Sequence, residues 1–147
     1  MTPRAVAAAG LAGALTTNVL HEIVRRTLPR PPRVDLLGMQ ALAKSADAAD
    51  IPAPRGRRLY LMALAGDLAS NSAYFALTAA SGRRGSAAYV VGGALGIVAG
   101  IGAVVLPRPL GLAADTTSRS LTTALLTVAV YTAGGFAAGA VTAKANA

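Results

Sequence analysis

The stretch AAYVVGGALGIVAGIGAVVL, residues Ala87 to Leu106, has no charged side chain over twenty consecutive positions. An α-helix of about 20 apolar residues is long enough to cross the hydrocarbon of a bilayer. Three further blocks of similar length and composition occupy residues 5–24, 59–80 and 121–142. The sequence therefore predicts an all-α, polytopic integral membrane protein, a four-helix bundle of transmembrane helices forming one domain over residues 1–147.

The overall composition favours the same class. Of the 147 residues, 54% are hydrophobic and only 14% are charged, whereas soluble domains average roughly 25% charged residues. A soluble four-helix protein is the alternative interpretation. The chain has no cysteine, which excludes disulfides, thiolate metal sites and a cysteine nucleophile.

The first apolar block also resembles a secretory signal peptide, because Arg4 is followed by the apolar run AVAAAGLAGAL. However, the run continues past Leu20 without a clean small-residue cleavage site. Arginines also follow it closely, and these resist translocation. We interpret the block as a retained membrane helix.

The net charge of +8 raises the possibility of nucleic-acid binding, which depends on basic residues. The basic residues instead lie between the apolar blocks. Ten fall in the first and third connections: Arg25, Arg26, Arg30, Arg33, Lys44, Arg55, Arg57, Arg58, Arg108 and Arg119. The other side of the membrane receives four: Arg4, Arg83, Arg84 and Lys144.

Positive residues are retained in the cytoplasm during insertion, so this distribution predicts that both termini lie outside. We expect the protein in the bacterial cytoplasmic (inner) membrane. Arg25, Arg26, Arg57 and Arg58 are expected to contact anionic lipid headgroups of the bilayer. No nucleic-acid partner is expected.

The first connection is the only long one. It opens with LPRPPR, residues 28–33, which ends a helix because proline lacks the amide donor. An amphipathic pattern follows over residues 35–48, with Asp35 as the predicted N-cap. This segment predicts a short helix on the cytoplasmic interface. The alternative is a cap packed over the ends of the membrane helices.

Glycines at four-residue spacing mark two of the blocks. They are Gly92, Gly96 and Gly100 in the third block, and Gly135 and Gly139 in the fourth. Such ridges let helix backbones approach closely where lipid supplies no hydrophobic drive to associate. They predict tight packing of these two helices within or between protomers, and we expect a homo-oligomer or a larger membrane complex.

The second block carries an intramembrane carboxylate, Asp67, about 12 Å from its cytoplasmic end at about 1.5 Å per residue. Its neighbours Ser70 and Asn71 make DLASNSAYF the most polar part of any predicted span. An aspartate near the centre of a membrane helix costs roughly 2.5–3.5 kcal/mol. It must therefore be paired, protonated or exposed to water.

Other polar residues are predicted near this depth, including Asn18 in the first block and Tyr131 in the fourth. Either side chain can donate a hydrogen bond to a carboxylate. The only histidine and the only glutamate, His21 and Glu22, lie closer to the membrane surface. Glu22 is four residues from Arg26, a spacing that favours a helix-end ion pair.

The polar cluster leaves three interpretations open: hydrogen bonds that hold helices together, a proton or cation pathway, and a substrate-binding or catalytic site. Catalytic motifs are not found. HEIVR, residues 21–25, has arginine where a zinc-protease motif requires a second histidine. No phosphate-binding loop or nucleophile elbow occurs. We therefore assign no catalytic residue, metal or cofactor.

Three functional hypotheses follow. The first is a small channel or transporter for protons, ions or a small solute, with its path centred on Asp67. The second is a non-catalytic accessory subunit that packs on a larger complex through its glycine ridges. The third is a membrane enzyme that acts on lipid at the cytoplasmic surface through His21 and Glu22. An enzymatic role is the less expected outcome.

Overall fold

In the computed structural model, which describes residues 2–145, all regular secondary structure is helical. There are six helices in this part of the chain. They are α1 (Pro3–Thr27), α2 (Val34–Ala48), α3 (Gly56–Ala80), α4 (Ser86–Val105), α5 (Asp115–Ser118) and α6 (Leu121–Lys144). The all-α class is thus confirmed. The four predicted spans correspond to α1, α3, α4 and α6, the predicted interfacial helix corresponds to α2, and the short α5 was not predicted.

Local sequence signals explain several helix ends. The Thr2 hydroxyl accepts a hydrogen bond from the amide of Ala5 at the start of α1. The Ser120 hydroxyl does the same for the amide of Thr123 at the start of α6. Both are N-caps that satisfy amides without a partner inside the helix. At its other end α1 stops at Thr27, just before the proline cluster.

Helix α6 lies at the centre of the fold, where it packs extensively against both α4 and α1. The contact with α4 is made by the glycine ridges. A Cβ atom on Gly96 would lie 2.5 Å from the Tyr131 carbonyl oxygen, and one on Gly100 would lie 2.6 Å from the Val128 Cα. The two backbones therefore touch directly. The glycine ridges of α4 and α6 therefore pack against each other within one chain.

Small residues also bring α1 against α3 and α6. A Cβ on Gly13 would lie 2.6 Å from the Phe75 Cγ, and one on Gly10 would collide with the Ser72 carbonyl oxygen. Phe75 is fully buried. By contrast, α3 and α4 make few contacts with each other. The four long helices are therefore tightly joined in the order α3, α1, α6, α4, and a fissure remains between α3 and α4.

By length and composition, two of the described helices could cross a membrane: α4 and α6. Only 28% and 39% of their most apolar windows are buried inside the chain, so most of each window is exposed. The prediction of four spans is not confirmed by this measure. Helices α1 and α3 are long enough, but polar residues inside them lower their hydropathy, namely Asn18, His21 and Glu22 in α1 and Asp67 and Asn71 in α3.

The contact between α4 and α6 makes a testable prediction about stability. In Gly96→Ala the new methyl group would meet backbone atoms that cannot move independently. Overpacking of this kind costs about 1–3 kcal/mol. We expect a clearly lower midpoint of thermal unfolding in detergent, followed by circular dichroism at 222 nm.

The matched control is Gly66→Ala on α3, where a Cβ atom meets nothing within 4 Å. Alanine is favoured over glycine in a helix by up to about 1 kcal/mol. This variant is expected to keep or raise the midpoint. Equal midpoints for the two variants would contradict direct backbone contact at Gly96.

Candidate functional site around Asp67

Asp67 lies on the inward side of α3 and is held by two amide side chains. The Asn18 Nδ2 of α1 donates to Asp67 Oδ2 at 3.0 Å, and the Asn71 Nδ2 donates to Oδ1 at 3.0 Å. Among the described residues, no arginine, lysine or histidine forms an ion pair with it. The carboxylate is therefore bound by neutral donors alone.

Helix geometry and close packing together create this arrangement. Asn71 is one turn beyond Asp67 on the same face of α3. Asn18 reaches Asp67 from α1 because Gly10 and Gly13 let α1 approach α3. The Asn18 amide also donates to the Ala14 carbonyl at 3.0 Å, which fixes its orientation. The predicted hydrogen bond from Asn18 to Asp67 is thus present.

A cavity of about 270 Å³ opens beside Asp67 at the arginine-rich end of the helices. We call it the arginine-end cavity. Its polar lining comes from three helices: Asn18, His21, Glu22 and Arg25 of α1, Asp35 of α2, and Tyr60 and Asp67 of α3. It therefore connects the Asp67 carboxylate with the basic end of the chain.

A second, larger cavity of about 600 Å³ fills the fissure between α3 and α4. We call it the α3–α4 groove. Asp67, Ser70, Asn71, Tyr74 and Tyr131 supply its polar lining. Asp67 lines both cavities, as do Val34 and Gly38 of α2. The carboxylate thus stands at the junction of two spaces.

His21 is placed against Tyr131 rather than hydrogen-bonded to Asp67. The two rings meet edge to face with centroids 5.6 Å apart. Both His21 ring nitrogens are buried and have no hydrogen-bond partner among the described residues. Such groups are rare inside proteins because each lost hydrogen bond costs about 1–3 kcal/mol. His21 also lines the arginine-end cavity.

Glu22 pairs with two arginines in the last turn of its own helix, α1. Arg25 donates to both Glu22 oxygens at 2.9 and 2.7 Å, and Arg26 also donates to Glu22. The predicted pair with Arg26 is confirmed, and Arg25 joins it. His21 and Glu22, adjacent in sequence, thus have different partners.

Helix α2 covers the arginine-end cavity and is fastened at several points. The Arg33 amide donates to the Thr116 carbonyl at 2.6 Å, and the Ala113 amide donates to Gln40 Oε1 at 2.9 Å. Lys44 Nζ donates to the Leu110 carbonyl at 2.6 Å. These contacts tie α2 to the connection between α4 and α6. Within the chain, α2 therefore acts as the cap that was the alternative to a purely interfacial helix.

The predicted role of Asp35 as an N-cap is wrong. Arg33 occupies the N-cap position of α2, without a side-chain capping bond. Asp35 lies inside the first turn and pairs with Arg33 at 2.7 Å. Burial by itself raises the pKa of the Asp35 carboxyl, but the hydrogen bonds and charge of Arg33 outweigh it. The pKa of Asp35 therefore lies below its usual value, which keeps the carboxyl charged.

Several lining residues were not among the predicted site residues. Tyr60 and Tyr74 are seven residues before and after Asp67, and this helical repeat predicts that they share the polar face of the second block with Asp67 and Asn71. Tyr74 donates to the Leu95 carbonyl of α4 at 3.0 Å and so bridges the fissure. Gly38 and Asp35 could not be found in this way, because the path of α2 depends on tertiary contacts.

No protein-family model matches this chain, and no curated protein or solved structure matches it significantly. Its function must therefore be inferred from the chemistry of its residues. Among residues 2–145, no group of three or more histidine, aspartate or glutamate side chains is placed to hold a metal ion.

The hydrogen bond between α1 and α3 can be tested by a double-mutant cycle on Asn18→Ala and Asp67→Ala. Polar contacts between membrane helices contribute about 0.6 kcal/mol on average and at most about 1.7 kcal/mol. We expect a coupling free energy in the upper half of this range, because the acceptor is a carboxylate. Unfolding of the four proteins in detergent would be compared. A coupling free energy near zero would contradict the contact.

Proposed function

We propose that the chain is an integral membrane protein whose four long helices all cross the bilayer. The outer faces of α1 and α3 support this proposal. On α1, Leu11, Leu15, Val19 and Ile23 form an exposed apolar stripe with a four-residue repeat. The polar groups Asn18 and Asp67 point inward instead. Hydropathy averaged around the helix therefore understates how apolar the outer surface is.

The arginine distribution supports an orientation with both termini outside the cytoplasmic membrane of a bacterium. Arg57 and Arg58, at the start of α3, are exposed and form no ion pair among the described residues. They are available for anionic headgroups. Arg25 and Arg26 share Glu22, which reduces the net charge that they offer to lipid.

Within this arrangement, we propose that the protein is a channel or transporter for protons, ions or a small cationic solute. The observation that carries the proposal is the position of Asp67. It is a carboxylate bound only by neutral amides, at the junction of the arginine-end cavity and the α3–α4 groove. Placing such a charge in a membrane is costly unless something compensates it. A bound proton or cation would supply that compensation.

Both cavities reach Asp67 from the proposed cytoplasmic end of the helices, because α2 lines both of them and the connection after α4 lines the groove. The arginine-end cavity lies beneath α2, near the proposed cytoplasmic surface. The groove extends between α3 and α4 to the exposed residues Val98 and Leu110. A cation can therefore reach Asp67 from either cavity.

The structural observations favour neither alternative hypothesis. The glycine ridges that an accessory subunit would use are occupied by the contact between α4 and α6. The Glu22 oxygens that a lipid-modifying enzyme would use are bound by Arg25 and Arg26. Transport along a path that includes Asp67 is therefore the proposed function.

Flux through purified protein in liposomes tests the proposal. A proton or potassium gradient is imposed, and flux is followed with a trapped pH-sensitive dye or an ion-sensitive electrode. We expect flux above that of empty liposomes, and at least a tenfold loss in Asp67→Asn. The amide has nearly the shape of the carboxylate but cannot carry its charge.

The matched control is Asp47→Asn, which removes the same charge from an exposed position on α2. This variant should retain the wild-type flux. Flux that persists in Asp67→Asn, or flux no greater than that of empty liposomes for every cation offered, would contradict the proposal.

Cysteine labelling tests the orientation, and the chain suits it because it has no native cysteine. Single cysteines would replace Arg83 in the connection from α3 to α4, and Asp47 at the end of α2. In intact cells, a membrane-impermeant maleimide should label the residue 83 variant at once. The residue 47 variant should react only after the cells are permeabilised. The reverse pattern would show that both termini lie inside.

A further inference from the structure

The α3–α4 groove has an unusual distribution of charge. Among the described residues that line it, Asp67 is the only charged one. No arginine, lysine or histidine takes part in its walls. Because Asp67 has no ion pair in the described part of the chain, an occupant of the groove meets an uncompensated negative group. The groove is therefore complementary to positive charge.

Two tyrosines line the groove together with this carboxylate, Tyr74 and Tyr131. The Tyr74 hydroxyl is held by the Leu95 carbonyl, and the Tyr131 ring is fixed against His21. Aromatic rings attract organic cations, and the attraction is stronger where water is excluded. The inner end of the groove thus combines a carboxylate with two positioned aromatic rings.

The rest of the groove is apolar. Its outer walls come from side chains of α2, of α4 and of the connection after α4, among them Leu37, Val98, Leu106 and Leu110. The volume of about 600 Å³ is far more than a hydrated metal ion or a proton requires. Hard metal cations also prefer six or more oxygen ligands, which one carboxylate and two amides do not supply.

From these features we infer that the α3–α4 groove binds an amphipathic organic cation. Its ammonium group lies at Asp67 between Tyr74 and Tyr131, and its apolar body lies along α4 toward Leu106. The inference rests on the proposed role of Asp67 as a cation site and names the class of ligand. A zwitterionic phospholipid fits poorly, because its phosphate would find no basic side chain in the groove.

Binding to the full chain in nanodiscs of zwitterionic lipid tests the inference, with empty nanodiscs subtracted. The probes are hexyltrimethylammonium, tetramethylammonium and hexanesulfonate, and binding is measured by equilibrium dialysis. We expect hexyltrimethylammonium to bind at least about tenfold more tightly than tetramethylammonium, because its tail is buried in the groove. Hexanesulfonate, with the same tail and the opposite charge, should not bind.

Two variants locate the site. Gly102→Leu projects a side chain into the groove from α4, where a Cβ atom meets only the Leu106 side chain, at 3.6 Å. It should weaken hexyltrimethylammonium binding at least about tenfold, as should Asp67→Asn. Gly66→Leu, in open space on α3, is the control and should bind like the wild type.

The outcomes separate this inference from transport. Equal affinity for the two ammonium probes, or unchanged binding in Gly102→Leu, overturns the inference even where flux depends on Asp67. Tail-dependent binding that Asp67→Asn and Gly102→Leu both weaken supports it, even where liposomes show no flux. If none of the three probes binds while proton flux requires Asp67, the ligand class is wrong and the proposed function stands.

Discussion

The direct contact between the backbones of α4 and α6 determines the arrangement of the other helices. Glycine at positions 92, 96 and 100 removes the side chains that would separate the two helices. The resulting van der Waals contact is the main attraction available to apolar helices in lipid. With α6 fixed against α4 on one side and α1 on the other, α3 packs mainly on α1. The fissure between α3 and α4 is a consequence.

That fissure explains how Asp67 can be tolerated. A carboxylate facing lipid from an isolated helix would cost several kcal/mol. Here Asn18 and Asn71 each donate one hydrogen bond, and two cavities leave the group accessible. Hydrogen bonds from neutral amides recover only part of the cost of taking a charge out of water. The part of this free-energy cost that is not recovered favours a proton or a positive ligand at Asp67.

Helix α2 links the site to the proposed cytoplasmic surface. Its residues Val34 and Gly38 line both cavities, while Gln40 and Lys44 fasten it to the connection between α4 and α6. Helix α2 has no buried residue, so these hydrogen bonds and its contacts with α3 hold it over the site.

Sequence alone predicted the four long helices and α2, the packing ridges, and Asp67 as the centre of the site. Apolar blocks near twenty residues and four-residue glycine spacing are local signals, so they can be read without a fold. A hydrogen bond to Asp67 from Asn18 or Tyr131 was also anticipated, because the three residues were expected at a similar depth, and the structure has the one from Asn18.

Tertiary structure decided which polar groups meet. His21 lies on Tyr131 and Asp35 pairs with Arg33, and neither choice follows from helical spacing. The two cavities exist because α3 and α4 remain apart while α2 crosses their ends, and that depends on contacts between residues far apart in the chain. Local patterns cannot encode such a gap, since it depends on which helices pack closely and which make few contacts.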